Sequence, residues 1–314
     1  MSSSDFRLTF AIPQHEINWS FDQSLIFLGS CFSDEMSNKA KLHGLNVLAN
    51  PFGTIFHPIP LAQNILDALS ENQEVDSLNH QDLWFDWGSS GQVFGYSETE
   101  LVENVRRKRS ILREKLAKCT VLYVTFGSAF GYFRQNQIVA NCHKQPSQTF
   151  HKQLSTVEEL VGVWTETIEK LKAFNPQMKL VFTVSPVRHW RDGMIENNRS
   201  KARLLLLCES LSTLEDCTYF PAYELLNDDL RDYRFFQSDK VHPSEEAVEY
   251  IWKKLLYSHS TESSRKILET TAQLKVRRNH RLLYPESKAA KDFQSQTTEL
   301  IHAWKQRYPN CDLG

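Results

Sequence analysis

No apolar run in this sequence is long enough to span a bilayer; the longest leucine stretch, Leu204-Leu205-Leu206-Leu207-Cys208, is the core segment of a helix. No Cys-x-x-Cys pair occurs, and the cysteines at 31, 119, 142, 208, 217 and 311 are scattered. Residues Met1-Ser2-Ser3-Ser4-Asp5-Phe6-Arg7 lack the basic-then-apolar pattern of a secretory leader, so free thiols in a cytoplasmic protein are expected. There is no excess of charge: 36 Lys and Arg stand against 38 Asp and Glu, which removes any whole-chain attraction for nucleic acid or an anionic membrane. The one basic run, Arg106-Arg107-Lys108-Arg109, reads as a solvated helix face. No histidines stand at HxH or HxxxH spacing, so no metal is expected. No cofactor motif, internal repeat or low-complexity tract is present.

What remains is a chain of 314 residues, 41% hydrophobic, enough for one sizeable α/β core and an appendage. Short apolar runs at 25–28, 45–48, 120–126, 179–184 and 217–220 read as strands. Helical patterns at 33–43, 60–70, 98–118, 155–174, 201–211 and 243–257 alternate with them, Ser155 and Glu158 having capping-box spacing and Thr99 standing as a cap. Residues 130–140 read as a hairpin, and 71–97 as a Trp-rich insertion or surface excursion. The alternation predicts a three-layer α/β/α fold with a mainly parallel sheet, over residues 21–257, followed by a charged helical extension over 258–314.

Every chemically suggestive cluster falls where a strand ends, the usual place for the site in an open α/β sheet: Ser30 and Cys31, Asn50 to His57, Gly127-Ser128, Arg188-His189, and Asp239 with His242. A nucleophile on a strand-to-helix corner, with a remote His beside its own carboxylate, is what acyl transfer requires. Simpler readings stand beside each. Cys31 would be a small buried residue, Asp239 and Ser244 would cap the last helix, and Arg188-His189 and the loop histidines His57 and His143 would be ordinary surface groups. The aromatics Trp84, Phe85, Trp87, Phe94 and Tyr96 would roof the site against an acyl chain or sugar face, or form a satellite core.

Gly29-Ser30-Cys31-Phe32-Ser33 resembles the motif of the GSCFA-domain family, within the wider SGNH (GDSL-type) hydrolase group. The blocks Asn50 to Pro58, Asn141-Cys142-His143-Lys144, Ser185 to His189 and Asp239 to Ser244 carry the same resemblance, which runs from about 21 to 257. It implies an SGNH-like, flavodoxin-like fold. Anchored on Gly29, the nucleophile slot falls on Cys31, with Ser30 in its place if the turn is shifted by one residue. Its thiolate would be favoured by the helix N-terminus. His242 is then the general base and Asp239 its orienting carboxylate. The Gly53 N–H supplies an oxyanion donor. The third block, which carries Asn in the group, reads Gly127-Ser128-Ala129 here, so Asn141 or Ser128 would have to substitute. His57, Ser128, His143, Arg188 and His189 are expected at the substrate. The expected activity is hydrolysis or transfer of a small-molecule or carbohydrate acyl ester or thioester. The alternatives are a catalytically degenerate ligand-binding or scaffold domain and, more remotely, a metal-dependent hydrolase.

Overall fold

Leu25, Ile26, Phe27 and Leu28 are all buried, and they divide by alternation: Leu25 and Phe27 join one apolar core, Ile26 and Leu28 another. A strand dry on both faces needs a layer of structure on each side. The computed structural model describes residues 9–15 and 17–313, so the reading of Met1 to Arg7 lies outside the described residues.

The chain opens with β1 (Ser24–Gly29), α1 (Cys31–Leu42), β2 (Asn46–Ala49) and α2 (Pro58–Leu69). The insertion then folds as a small antiparallel sheet of β3 (Ser77–His80), β4 (Leu83–Asp86) and β5 (Phe94–Gly95), followed by α3 (Glu98–Ala117) and β6 (Val121–Phe126). A second antiparallel sheet contains β7 (Phe130–Arg134), β8 (Gln137–Val139) and β9 (His151–Leu154). Next come α4 (Val157–Phe174), β10 (Lys179–Val184), α5 (Gly193–Leu211), β11 (Cys217–Tyr219) and a single turn, α6 (Ala222–Glu224). Last are α7 (Glu245–Ser258), α8 (Glu262–Arg278) and α9 (Lys288–Arg307).

The central sheet is parallel throughout, in the order β2-β1-β6-β10-β11. Helices α2 to α5 cover one face through residues such as Ile65, Val105, Trp164 and Leu204, and α1, α7 and α8 cover the other through Met36, Trp252 and Leu268. This is the three-layer α/β/α architecture that the alternation predicts. Each fully buried Leu or Phe in these layers stabilises the fold by roughly 2 kcal/mol. No helix among the described residues is long and apolar enough to cross a membrane.

Several boundaries differ from the sequence expectation for local reasons. α1 begins at Cys31, two residues early, because Ser30 caps it by accepting the Phe32 N–H. Ser97 and Thr156, rather than Thr99 and Ser155, cap α3 and α4. α5 begins at Gly193, eight residues before 201, since its opening turns carry polar residues that mask the apolar period. Arg109, expected on a solvated face, is buried and pairs with Asp67 at 2.8 Å while donating to the Asn72 and Glu74 carbonyls. The extension over 258–314 packs on the same core as α1: Lys275 donates to the Lys41 carbonyl at 2.6 Å, and the Asp312 N–H to the Gly44 carbonyl at 3.0 Å.

Candidate functional site

From β1 the chain moves to β2 on one side and, later, to β6 on the other, so the topological switch lies between the ends of β1 and β6. A crevice at that point is where parallel α/β sheets bind ligands. Gly29 closes β1 there with φ of +122°, and a Cβ on it would lie 2.1 Å from the Thr125 carbonyl oxygen. Only glycine lets β1 approach β6 so closely. The turn is then fixed from three sides: the Gly29 N–H donates to Asn50 Oδ1 (2.8 Å), Ser30 N–H to the Thr125 carbonyl (3.1 Å), and Ile55 N–H to the Gly29 carbonyl (3.0 Å). Asn50 in turn donates to Asp34 Oδ1 at 2.8 Å, which ties the β2 loop to the first turn of α1.

The two nucleophile candidates separate here. Ser30 is completely buried and its Oγ caps α1, whereas Cys31 is half-exposed at the first helical position. The thiol is not pre-ionised. Burial pushes its pKa up, the Asp34 and Glu35 carboxylates push it further, and its own N–H and the Lys201 ammonium oppose them. The helix N-terminus therefore does not win by itself, contrary to expectation.

Asp239 and His242 form one tight turn ahead of α7. His242 Nδ1 lies 2.6 Å from Asp239 Oδ2, while Asp239 Oδ1 accepts the Val241 and His242 N–H groups at 2.9 and 3.0 Å. These bonds hold the Asp239 pKa down at about 2. Capping of α7 falls to Ser244, which accepts the Ala247 N–H, so Asp239 is free of that duty. Arg188 braces the turn: its N–H donates to the Val241 carbonyl, its guanidinium to the Lys240 carbonyl, and its plane lies 4.0 Å from the Phe236 ring centroid. Helices α1 and α7 pack together through Lys39 and Glu249 (2.6 Å) and through His43 and Trp252 (3.3 Å). The Val241 carbonyl accepts from Arg188, four residues past the end of β10, and Cys31 follows the end of β1; since both strands run parallel in one sheet, the two turns lie at the same end of it. Among the described residues no hydrogen bond joins Cys31 to His242.

The other expected site residues are mostly structural. The Gly53 N–H donates to the Asn50 carbonyl at 2.8 Å within its own turn, so it is not free to hold an oxyanion. At φ of +72° Gly53 packs directly on Ser90, which links this loop to the insertion. His57 caps α2 by accepting the Ile59 N–H on Nδ1, and burial lowers its pKa to about 4. Ser128 is buried, accepts the Phe130 N–H and meets Ser200 Oγ at 3.3 Å. His143 stacks on Phe85, meets Trp87 edge-on and bonds the Asp86 carbonyl at 2.9 Å, so these two aromatics of the insertion pack around it, while Trp84 packs on the main core and Phe94 and Tyr96 meet each other at the exposed surface. His189 meets Phe56 edge-on, and burial together with the Lys201 charge lowers its pKa to about 4. Asn141 accepts the His143 N–H on Oδ1, which leaves its amide nitrogen as a donor. Arg188 is engaged with the Asp239 turn.

One residue escaped the sequence reading. Lys201 is 1% exposed, and its Nζ donates to the Gly127 and Ser185 carbonyls, each at 2.7 Å, immediately beyond the ends of β6 and β10. Burial lowers its pKa to about 7, against the opposing influence of Cys31. Its only sequence signal was a lysine interrupting the buried face of a leucine-rich helix. No cluster of three or more His, Cys, Asp or Glu suited to a metal occurs among the described residues.

Comparison with solved structures finds a carbohydrate esterase family 3 protein from Talaromyces cellulolyticus, 12% identical, with 51% of this chain and 66% of that one covered and a TM-score of 0.28. This chain thus spans just under two thirds of that structure. A mutant acetyl esterase holding an acetate ion is 10% identical, with 80% of this chain and 100% of that one covered and a TM-score of 0.37. No curated protein sequence matches the chain. The model of the GSCFA family matches residues 24–255, which takes in the Cys31 turn, the Asp239–His242 turn and the whole central sheet. The chain belongs to the GSCFA family.

Proposed function

We propose that this protein transfers an acyl group from an ester or thioester through a covalent intermediate on Cys31. The observation that carries the reading is the Asp239–His242 pair. A carboxylate 2.6 Å from Nδ1 fixes the imidazole with Nε2 open for a proton, at the sheet end that also carries the half-exposed Cys31 thiol. His242 takes the Cys31 proton as sulfur attacks the acyl carbonyl, then returns it to the departing alcohol or thiol. Water, or a second acceptor, releases the acyl group with the same proton traffic. Because the resting thiol is neutral, ionisation belongs to the reaction rather than to the free protein. The Cys31 N–H, at the open first turn of α1, is one oxyanion donor, and the Asn141 amide nitrogen is the available second.

A second reading is a ligand-binding domain that keeps the fold without turnover. It is favoured by the Gly53 N–H and Ser128 hydroxyl being engaged internally. The test is alkylation with limiting iodoacetamide, mapped by mass spectrometry, beside turnover of p-nitrophenyl acetate and an acetyl thioester. Cys142 is the internal control, since it is the other half-exposed thiol. Acyl transfer requires turnover that falls about a hundredfold or more in both Cys31→Ala and His242→Ala. Ligand binding with no turnover in the intact protein would establish the binding domain instead. Phosphonylation of Ser30 by a fluorophosphonate would move the nucleophile to the hydroxyl.

A further inference from the structure

Lys201 has no obvious structural reason to be charged. It projects from α5 into the dry layer between helix and sheet, 1% exposed, and among the described residues no carboxylate pairs with it. An apolar side chain would fill the same volume without the cost of dehydrating an ammonium. The Gly127 and Ser185 carbonyls take two of its N–H bonds and leave the third without a strand-end acceptor. The charged and titratable groups facing this point come from three parts of the chain. Cys31, with Asp34 and Glu35 behind it, lies on α1; His189 follows β10; Tyr223 on α6 has its ring centroid 6.0 Å from Nζ. The Ser30 N–H bonds the Thr125 carbonyl, two residues before the Gly127 carbonyl that holds Lys201 Nζ, so the ammonium and Cys31 adjoin at the paired ends of β1 and β6, and each favours the charged form of the other.

We propose that the buried Lys201 ammonium is the counter-charge for the Cys31 thiolate, held beneath the β6 and β10 ends by the Gly127 and Ser185 carbonyls. This rests on Cys31 being the nucleophile. When His242 removes the Cys31 proton, negative charge appears on sulfur beside two carboxylates, and a nearby positive charge offsets them together with the Cys31 N–H. Lys201 occupies the end of β6, the strand whose final block lacks the expected Asn side chain. In its protonated form it therefore delivers from below electrostatic support for the nucleophile that the Gly127-Ser128-Ala129 segment does not supply. Lys201 acts through Cys31 and is a positioning residue. The coupling is reciprocal: thiolate formation strengthens the hold of Lys201 on its proton, and loss of that proton as pH rises past neutrality weakens the thiolate.

The test is the rate of Cys31 alkylation by iodoacetamide between pH 6 and pH 10, read residue by residue in the intact protein and in Lys201→Met. The inflection for Cys31 is expected to move up by about one unit in the variant, so that its rate near neutral pH falls about tenfold, with Cys142 unmoved. A merely structural lysine would change the melting temperature and leave the Cys31 inflection in place, which overturns the proposal. Should Lys201→Met fail to fold, the Lys201 Nζ resonance is titrated by NMR in the wild type and in Cys31→Ala. Its midpoint is expected to fall when the sulfur is removed, and an unchanged midpoint overturns the proposal. Failure of the acyl-transfer reading looks different: Cys31→Ala would then retain turnover, whatever Lys201→Met does to the alkylation profile.

Discussion

The two halves of the candidate site are built in opposite ways. The Cys31 turn is an interior joint. Its hydrogen bonds come from Asn50, Thr125 and Ile55, and the carbonyls beside it are held by Lys201 from a helix far along the chain. The Asp239–His242 turn is an exposed, local object. Its carboxylate binds the imidazole and two N–H groups within three residues, Gln237 N–H closes it on the His242 carbonyl at 2.8 Å, and Arg188 braces it from a distant part of the chain. The base is thus oriented by short-range bonds that survive exposure, while the nucleophile is oriented by packing that tolerates no change of volume. Loss of the first should cost rate, and loss of the second should cost the fold.

That contrast is broken most severely at Gly29. Gly29→Ala places a methyl group 2.1 Å from the Thr125 oxygen at a φ that L-residues avoid, so a loss on the order of 4 kcal/mol or more is expected, seen as insolubility or a collapsed denaturant midpoint. Next is acid. His57, His189 and His259 are held near 4, 4 and 3 by burial, below the unfolded value of 6.5. A depressed folded value means their stability is fully present above pH 6.5 and lost as pH falls through about 4 for His57 and His189 and about 3 for His259. Each contributes on the order of 3 to 5 kcal/mol across its window. Urea unfolding at a series of pH values checks it, and His57→Asn, which keeps a capping side chain, should flatten the slope. Third, Asp239→Asn should lower turnover about a hundredfold or more with little change in unfolding, because it removes the carboxylate that selects the tautomer. Smallest is Arg188→Ala, which should cost about tenfold in kcat by loosening the turn, with the denaturant midpoint nearly unmoved. If Arg188→Ala instead unfolds the protein, the exposed turn is not the separable unit described.

The same contrast explains what the sequence made legible. The Asp239–His242 turn could be read because all its chemistry lies within three residues. The runs at Leu25–Leu28, Val121–Phe126 and Lys179–Val184 could be read because each places apolar residues on both faces, which leaves few structures but a buried parallel strand. The start of α5 was hidden by its polar opening turns, and β9 (His151–Lys152-Gln153-Leu154) by its polar composition. Lys201 was read as the edge of a helix since lysines are ordinarily outside, and its acceptors stand 74 and 16 residues away. His57, Ser128 and His143 stood out by residue type, but His57 Nδ1, the Ser128 oxygen and His143 Nε2 are engaged by backbone groups that no sequence pattern marks.

The far end of α1 carries a consequence for synthesis. Gly44, just beyond that helix, is sealed by the Asp312 N–H on its carbonyl and sits close to Thr271 and Cys311. A ribosome adding about 5–20 residues per second needs on the order of tens of seconds to travel from Gly44 to Asp312. Throughout that interval the helix that starts at Cys31 is unsealed at its other end, and the apolar layer formed by Met36 and Ala40 lacks α7 and α8. The growing chain therefore displays the Cys31 thiol and an uncovered sheet face together, and a holding chaperone that recognises apolar surface has its longest opportunity there.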